Sequence, residues 1–311
     1  MPSKELEFTQ YESPDGQTFR FDDRMDRFLL SETGYGMPPI EYLSQRGPFQ
    51  HGDTIYDYRL ARRVIQLVER SNACSRNEYY SHRAEILDML RPNRQSSGNF
   101  EMGTLKKQFP DGSARAIKVM IEEGPIFAAR DTSRWDEWAF TEAIRFVAPD
   151  PVFYDPGLRS EGLGLEYFDH LIFPFSFQFP DLIFVAGWGI GTKHLVYNGN
   201  WPSFPKIIIG GPYDNLLIRN ITTGEKLDFP RSISEGETIT FSMDYGNKSV
   251  TNNRGENLMG IITPDSDLAT FHIAPDPEAD CGINIITIEG AVVGTGVSTA
   301  TIEFYDRYIG W

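Results

Sequence analysis

Residues 205–229, PKIIIGGPYDNLLIRNITTGEKLDF, indicate the fold class of this 311-residue chain. The stretch holds three strand-like pieces separated by turn signals, and it ends in a predicted β-hairpin whose turn falls at Thr222-Thr223-Gly224. Glycine suits position 224 because a residue with left-handed backbone is needed after a type I turn. Leu227 and Phe229 share one face of the returning strand, as expected of a sheet that buries one face.

The next stretch, residues 233–253, has the clearest strand periodicity in the chain. Its sequence is ISEGETITFSMDYGNKSVTNN, in which Ile239, Phe241 and Met243 alternate with polar residues before a turn. The same alternation recurs over residues 297–308, near the end of the chain. Several short strands at spacings of roughly ten residues predict a β-sandwich in this half of the protein.

The most distinct helix signal lies in the first half, at SRNEYYSHRAEILDMLRPN. Ser75 is a favourable N-cap, Glu78 completes a capping box three residues later, and Pro92 stops the helix. The spacing therefore predicts one α-helix over about residues 76–90. The residues at helical spacing on its predicted packing face are Tyr79, Arg83, Ile86, Leu87 and Leu90.

The remainder of the first half reads as strands and turns. Hairpins are predicted over residues 6–21 and 103–123, each around a Pro-Asp-Gly turn, and residues 32–42 read as a Gly/Pro-rich excursion or loop. Residues 54–68 read as one long strand with a bulge or kink near Ala61, where the alternation changes phase. The fold class predicted for this half is an antiparallel β-sandwich or barrel with one helix.

A proline pair, Pro149 and Pro151, marks the best candidate domain boundary. The prediction is an amino-terminal domain over 1–148 and a carboxyl-terminal domain over 149–311. Of the net charge of −15, the first part carries −3, from 20 Lys and Arg against 23 Asp and Glu, and the second carries −12, from 9 against 21. Arginine is divided 16 to 5. An arginine-rich half is suited to protein contacts and an acidic half to solvent, and neither favours nucleic-acid binding.

Catalytic and metal-binding patterns are weak throughout the sequence. The five histidines form no H-E-x-x-H or other tight ligand spacing, so no metal or cofactor is predicted. Asp169-His170 lacks the G-x-S-x-G elbow of a hydrolase, and residues 187–194, GWGIGTKH, depart from the P-loop pattern and read as a β-bend or loop. Adjacent carboxylates such as Glu122-Glu123 are expected by chance among 44 acidic residues. No catalytic residue is predicted.

Cellular location is predicted from three simple features. The start, MPSKELEFTQ, has no apolar core of a signal peptide, and no apolar run approaches the roughly 20 residues of a membrane span. The two cysteines, Cys74 and Cys281, fit no disulfide or zinc pattern and are expected to be packed thiols. The sequons at Asn220 and Asn247 have no meaning without a secretory signal. The chain is expected to be cytoplasmic when made, without membrane insertion.

The order of these motifs resembles the distal tail protein (Dit) family of long-tailed bacteriophages, which also occurs in gene transfer agents and related tail-like particles. The resemblance is carried by GPFQHGDTIYDYRLARRVIQLV, NEYYSHRAEILDMLRPN, FVAPDPVFYDP, ATIEFYDRYIGW and, most specifically, the block from PKIIIGGPYDNLLIRNITTGEKLDF to ISEGETITFSMDYGNKSVT. It covers nearly the whole chain, and the first fifty residues match less sharply.

This resemblance implies a structural, non-enzymatic virion protein at the distal end of a tail, assembled in the host bacterial cytoplasm. Amino-terminal domains would form a hexameric ring, and a galectin-like carboxyl-terminal sandwich would project from each subunit. The ring would join the tail tube protein to the tail-tip hub, meet the tape-measure protein, support receptor-binding proteins, and let DNA pass without specific binding.

Two other functions remain open from the residues alone. A carbohydrate-binding adhesin would use the carboxyl-terminal sandwich, with aromatic side chains such as Trp188 and Trp201 stacking on sugar rings. A glycan hydrolase would need two carboxylates across a sugar cleft, and no pair can be singled out.

Overall fold

The computed structural model describes residues 7–22, 27–92, 100–125, 127, 138–163, 166–167, 188–291 and 298–310. The chain divides into two compact units, one of Met1–Pro156 with Tyr308–Trp311 and the other of Gly157–Arg307. The division follows Pro156, whereas the sequence placed a domain boundary after residue 148. The four terminal residues, which the sequence placed in the second domain, belong to the first unit.

Regular structure in the described residues is mainly antiparallel β with one α-helix, as the sequence predicts. The elements up to the boundary are β1 (Phe8–Glu12), β2 (Thr18–Arg20), β3 (Arg27–Thr33), β4 (Ile40–Gln45), β5 (Thr54–Leu60), β6 (Arg63–Ala73), α1 (Arg76–Met89), β7 (Gly103–Gln108), β8 (Ala114–Glu123), β9 (Trp138–Ala148) and β10 (Phe153–Tyr154). The remainder are β11 (Arg159–Gly162), β12 (Glu166–Tyr167), β13 (Trp188–Val196), β14 (Lys206–Gly210), β15 (Asp214–Asn220), β16 (Glu225–Phe229), β17 (Thr238–Ser242), β18 (Ser249–Asn252), β19 (Ile283–Ala291), β20 (Thr299–Phe304) and β21 (Arg307–Tyr308).

The first unit is organised around one large antiparallel sheet. Its strands run in the order β2-β1-β7-β8-β9-β6-β3, with β10 pairing β8 and β21. Alternate residues of β6 and β9 face one side, where Leu67 lies opposite Ile144 and Ile65 opposite Phe146, all fully buried. This face and the helix build a single hydrophobic core, because burying one face of a sheet requires a second layer against it.

Helix α1 begins as its capping signal predicts. The Ser75 hydroxyl accepts a hydrogen bond from the Glu78 amide at 3.3 Å, and the Glu78 carboxylate accepts one from the Cys74 amide at 2.6 Å. The predicted packing face is partly wrong, since Leu87 is 51% exposed and Met89 is buried instead. The face that packs is set by the sheet beneath it, which sequence spacing alone does not reveal.

The single long strand predicted over residues 54–68 is two strands in different sheets. Among the described strands, β5 pairs only with β4, in a two-stranded sheet, whereas β6 pairs along its whole length with β9 in the large sheet. The change of phase near Ala61 is therefore a break between strands and not a bulge within one. Part of the predicted excursion over residues 32–42 is likewise strand, at the start of β4.

Arg63, the first residue of β6, joins three separate segments of the first unit. It is 1% exposed and donates hydrogen bonds of 2.5 to 2.6 Å to the carbonyls of Gly34, Gly36, Pro151 and Ile309. Burial lowers the pKa of its guanidinium to about 10. Four carbonyl acceptors offset much of the cost of burying that charge.

The described residues of the second unit form a β-sandwich of two five-stranded sheets. One has the order β11-β20-β14-β17-β18 and the other β12-β13-β19-β15-β16. Apolar residues of both sheets form one core, in which Phe229 of β16 meets Phe241 of β17 edge-on at a centroid distance of 5.6 Å. The strand pieces predicted from residues 205–229 and 233–253 are confirmed as β14 to β18.

Residues 187–194, predicted as a bend or loop, are strand from Trp188 onward. β13 pairs with β19 from Trp188 opposite Ala291 to Val196 opposite Ile283, so its glycines lie within a continuous ladder. Residues 168–179, FDHLIFPFSFQF, and 181–187, DLIFVAG, have aromatic-rich sequences that also predict strands, and they lie outside the described residues.

Candidate assembly surface

β4 and β5 form an antiparallel hairpin that is a sheet of its own, called here the exposed hairpin, residues 40–60. Ile40 lies opposite Leu60 at its base, and Tyr42 lies opposite Tyr58 in its middle. The register shifts at Leu43, so the hairpin carries a bulge between its base and its tip.

Large apolar side chains of the exposed hairpin face solvent. Tyr42 and Ile55 are each 60% exposed, Tyr56 is 63% exposed and Tyr58 is 50% exposed. At the tip, the side chain of Phe49 is completely exposed. Both faces of the hairpin are open, because no residue of β4 or β5 is classed as buried.

The tip of the exposed hairpin is nevertheless held by its own polar side chains. Arg46 Nε contacts Asp53 Oδ1 at 2.8 Å, and the Gln50 amide nitrogen donates to Thr54 Oγ1 at 2.8 Å. Farther back, the Tyr56 hydroxyl donates to Gln45 Oε1 at 2.6 Å. These bonds give the hairpin a defined shape before any partner covers it.

The stability and the exposed apolar area of the hairpin both indicate that it binds a partner. A two-stranded sheet without a packed face is marginally stable in water, and contiguous exposed apolar groups mark interaction sites. Tyrosine is enriched at protein interfaces because it combines a large apolar area with a polar hydroxyl. The exposed hairpin is therefore the best candidate for a functional surface among the described residues of the first unit.

The sequence predicts that the arginines of the first half contact other proteins, but several of them form contacts within the first unit. Arg27 and Arg63 are buried within the unit, and others stack on its aromatic rings, with Arg20 4.0 Å from the Phe8 centroid. Arg115 similarly lies 3.6 Å from the ring of Tyr308. These side chains stabilise the unit itself through cation–π contacts and hydrogen bonds.

The Asn-Ile-Thr-Thr-Gly segment of the second unit is a structural turn. Asn220 is fully buried and donates from its amide nitrogen to the His272 carbonyl at 2.8 Å, so its side chain is not available for modification. Its Oδ1 accepts from the Thr222 amide at 3.1 Å, which shapes the turn. Gly224 has φ +78°, the left-handed backbone that the sequence predicts.

The most perturbed charged pair of the sandwich lies beside that turn. His272 Nδ1 is 3.1 Å from Glu225 Oε2, and its Nε2 is 3.2 Å from Glu278 Oε1. Burial alone would lower the pKa of His272, but bonds to Glu225 and the Thr270 carbonyl raise it to about 9. Burial would raise the pKa of Glu225, but its bonds to His272 hold it below its usual value. The pair is an ion pair at neutral pH that braces the hairpin.

The remaining sequence candidates that lie in described residues do not assemble into a site. Asp169 and His170 lie outside the described residues. Glu122 contacts Arg62 and Arg145 at 3.2 and 3.1 Å, as a surface ion-pair group. Within the described ranges, no group of three or more His, Cys, Asp or Glu side chains has the geometry of a metal site.

Neither the cysteines nor the described part of Trp201 forms a recognisable site. The expectation of packed thiols is wrong, because Cys74 and Cys281 are both exposed, next to the helix cap and in an acidic loop respectively. Trp188 begins β13, and Trp201 is half-buried and forms a backbone bridge with Arg307. In the part of the chain that is described, no helix is long and apolar enough to cross a membrane.

Comparison with solved structures identifies the architecture. No family model and no curated protein matches this sequence. The Dit protein of phage SPP1, described as a paradigm of the hub adsorption apparatus in phages that infect Gram-positive bacteria, superposes with a TM-score of 0.63. The match covers 97% of this chain and 99% of that one, at 12% sequence identity.

This chain has the Dit fold. The resemblance indicated by its motifs is thereby confirmed at the level of fold. A chain from the phage p2 baseplate in its activated conformation with Sr covers 96% of this chain and 98% of its own length, with a TM-score of 0.46 and 9% identity. A chain of the baseplate structure with Ca has a TM-score of 0.44 at the same identity, covering 94% and 100%.

Proposed function

We propose that this protein is a structural subunit of a phage tail tip, and that copies of it assemble into a ring through the exposed hairpin. The Dit fold over nearly the full chain supports the tail-tip role. The observation that carries the proposal is the exposed apolar surface of Tyr42, Ile55, Tyr56 and Tyr58, on a hairpin that no other described strand or helix covers. The proposed role is non-enzymatic, because it depends on binding surfaces and not on a catalytic centre.

The proposed contact is head-to-tail, with the exposed hairpin of one copy on a different surface of the next. Such contacts give a ring when the rotation between copies closes, and an open filament when it does not. The number of subunits in the ring, six, comes from the resemblance to the Dit family. The same resemblance implies that the ring lies at the end of a tail tube, between tube and hub. It also implies tape-measure and receptor-binding partners and a lumen through which DNA passes.

The two units have different parts in the proposed assembly. The first unit carries the exposed hairpin and would form the ring. The sandwich, whose half of the sequence carries a net charge of −12, would project into solvent. An acidic outer domain repels nucleic acid and stays soluble at high local concentration.

The test is assembly of the full-length chain. Light scattering with negative-stain imaging should show rings at high protein concentration, and a Tyr56→Asp/Tyr58→Asp double variant should stay monomeric with an unchanged circular dichroism spectrum. Two buried charges at each contact would cost several kcal/mol. The matched control is Tyr245→Asp, since Tyr245 is 78% exposed but lies in the sandwich.

The proposal fails if the wild-type chain stays monomeric and is absent from the tail tip of assembled particles. It also fails if the double variant forms rings as readily as wild type. Loss of rings in the Tyr245→Asp control would likewise contradict it. Imaging of assembled particles also gives the stoichiometry and position of the subunit.

A further inference from the structure

One buried side chain holds the point where the exposed hairpin leaves the first unit. This point, called here the hairpin root, consists of residues 34–39 before β4 and 61–63 after β5. Arg63 Nη1 donates hydrogen bonds to the carbonyls of Gly34 and Gly36 at 2.6 and 2.5 Å. The Arg63 guanidinium therefore ties the chain that enters the hairpin to the chain that leaves it.

The same guanidinium binds a segment that is distant in the sequence. Its Nη2 donates to the Ile309 carbonyl at 2.5 Å. Residues 308–310, called here the returning segment, follow the sandwich in the sequence and belong to the first unit. Gly310 lies so close to the root that an added Cβ would be 3.0 Å from the Gly36 carbonyl oxygen. The returning segment is thus packed against one side of the hairpin root.

Further contacts within the first unit hold the returning segment in place. The guanidinium carbon of Arg115 lies 3.6 Å from the centroid of the Tyr308 ring. Arg115 Nη1 also lies 3.8 Å from Asp155 Oδ2, beside β10, and β10 pairs with β21. Ring, strand and carbonyl contacts therefore all fix residues 308–310 beside the root.

The fold of the sandwich brings its own entry and exit together. β11 pairs with β20, where Arg159 lies opposite Phe304, and Arg159 Nη1 is 3.6 Å from Asp306 Oδ1. A folded sandwich therefore holds side by side the two ends of chain that lead to the first unit. An unfolded sandwich would leave a loop of about 150 residues to be closed, and the entropic cost of closure grows with loop length.

We propose that Arg63 is a positioning residue for the assembly surface, and that it fastens the hairpin root to the returning segment only in chains whose sandwich has folded. This inference rests on the proposed function, because it concerns the orientation of the surface that forms the ring. Without the returning segment, the buried guanidinium loses the Ile309 carbonyl as an acceptor, and the root loses a packed neighbour. The dependence keeps incompletely folded copies out of the ring.

The first test is hydrogen exchange in the full-length chain, at a protein concentration below that of ring assembly. The Ala61 amide, which donates to the Pro39 carbonyl at 2.8 Å, reports on the root. In Arg63→Met, this amide and the returning segment should lose at least about tenfold in protection. Arg62→Met is the matched control, since the Arg62 side chain is 66% exposed, and it should keep wild-type protection. Equal losses in the two variants, or no loss in Arg63→Met, would contradict the fastening.

The second test separates positioning from stability and leaves Arg63 unchanged. Gly310→Ala should displace the returning segment from Gly36 and raise the protein concentration needed for rings by at least about fivefold, under conditions where circular dichroism shows a fully folded chain. Gly36→Ala, where an added Cβ meets nothing within 4 Å, should assemble as wild type does. Rings of Gly310→Ala at the wild-type concentration, or loss of rings only together with the folded spectrum, would overturn the positioning role.

The third test addresses the dependence on the sandwich. Phe229→Ala weakens the core of the sandwich and removes no side chain from the first unit. At urea concentrations that open the sandwich of this variant, protection of the Ala61 amide should fall together with that of the sandwich amides. Protection of Ala61 that persists after the sandwich has opened would refute the coupling.

The outcomes also distinguish this inference from the proposed function. A wild-type chain that never forms rings refutes the proposed function, and hydrogen exchange still decides whether Arg63 fastens the root. Wild-type rings together with wild-type assembly of both Arg63→Met and Gly310→Ala refute only the positioning role.

Discussion

Two hairpins of this protein have similar local patterns and opposite surroundings. In the β15–β16 hairpin of the sandwich, Leu216, Ile218, Leu227 and Phe229 are at most 1% exposed, since the second sheet covers them. In the exposed hairpin, Tyr42, Ile55, Tyr56 and Tyr58 are at least 50% exposed. Alternating apolar and polar residues predict strands in both segments. The apolar residues are buried only in the hairpin that a second sheet covers. The exposed hairpin is therefore complete as a strand pair but has no packed face among the described residues, unlike β15–β16, called here the covered hairpin.

Ion pairs at the two tips show the same contrast. At the covered hairpin, the side chains of Glu225 and His272 are 14% and 16% exposed. At the exposed hairpin, those of Arg46 and Asp53 are 64% and 46% exposed. Water screens the second pair far more than the first, so only the first is expected to contribute measurably to stability.

The largest expected effect is on the core of the covered hairpin. Phe229→Ala should lower the free energy of unfolding of the sandwich by about 3–5 kcal/mol, because it removes a fully buried ring and leaves a cavity. Tyr58→Ala, the matched change in the exposed hairpin, should alter the stability of the unassembled chain by less than about 0.5 kcal/mol. Urea denaturation of both variants measures the difference, and equal losses would remove the contrast.

A smaller effect is expected from the buried ion pair, and it depends on pH. The folded pKa of His272, about 9, lies above its unfolded value of 6.5, so its stabilisation is complete below about pH 6.5 and is lost as pH rises through 9. His272→Gln should therefore cost about 1–3 kcal/mol at pH 6 and much less at pH 10. Thermal unfolding across this range is the measurement.

The control for that experiment is Asp53→Asn at the exposed tip. Its stability should stay within about 0.5 kcal/mol of wild type at every pH, as for other solvent-exposed pairs. A cost of His272→Gln that is the same at pH 6 and pH 10 would show that the histidine acts by packing and not by charge.

The smallest expected effect compares the two turns. Gly224 and Gly52 have φ of +78° and +81°, and an added Cβ would meet nothing within 4 Å at either site. Gly224→Val should cost the sandwich about 1 kcal/mol or more through backbone strain alone. Gly52→Val should strain only the exposed hairpin and leave cooperative unfolding of the chain nearly unchanged. Unchanged melting of Gly224→Val would contradict the turn assignment.

The sequence predicts the structure best where its signal is local. The capping box at Ser75 and Glu78, the turn at Gly224 and the alternation at Ile239 and Phe241 all depend on neighbours within a few residues. It was wrong about Leu87, whose helical spacing fits the packing face although the sheet does not reach it. It was also wrong about Cys74 and Cys281, because a small apolar residue type does not guarantee burial.

The candidate surface was visible in the sequence only as alternating tyrosines. Tyr56 and Tyr58 alternate as a half-buried strand would, and no local feature distinguishes a face that meets a sheet from one that meets solvent. The break at Ala61 was also visible, but its meaning depended on β5 and β6 joining different sheets.

Periodicity, capping and composition predict the mainly β class, the single α-helix of the described chain, the covered hairpin with its glycine turn, and the acidic character of the second half. These are properties of short segments. Long-range pairing brings carbonyls from three segments to Arg63 and places Glu69 of β6 opposite Glu142 of β9. It also leaves one hairpin uncovered by any other described element. Each of those depends on which distant strands pair and which layers cover them, and strand order is set by the packing of the whole chain.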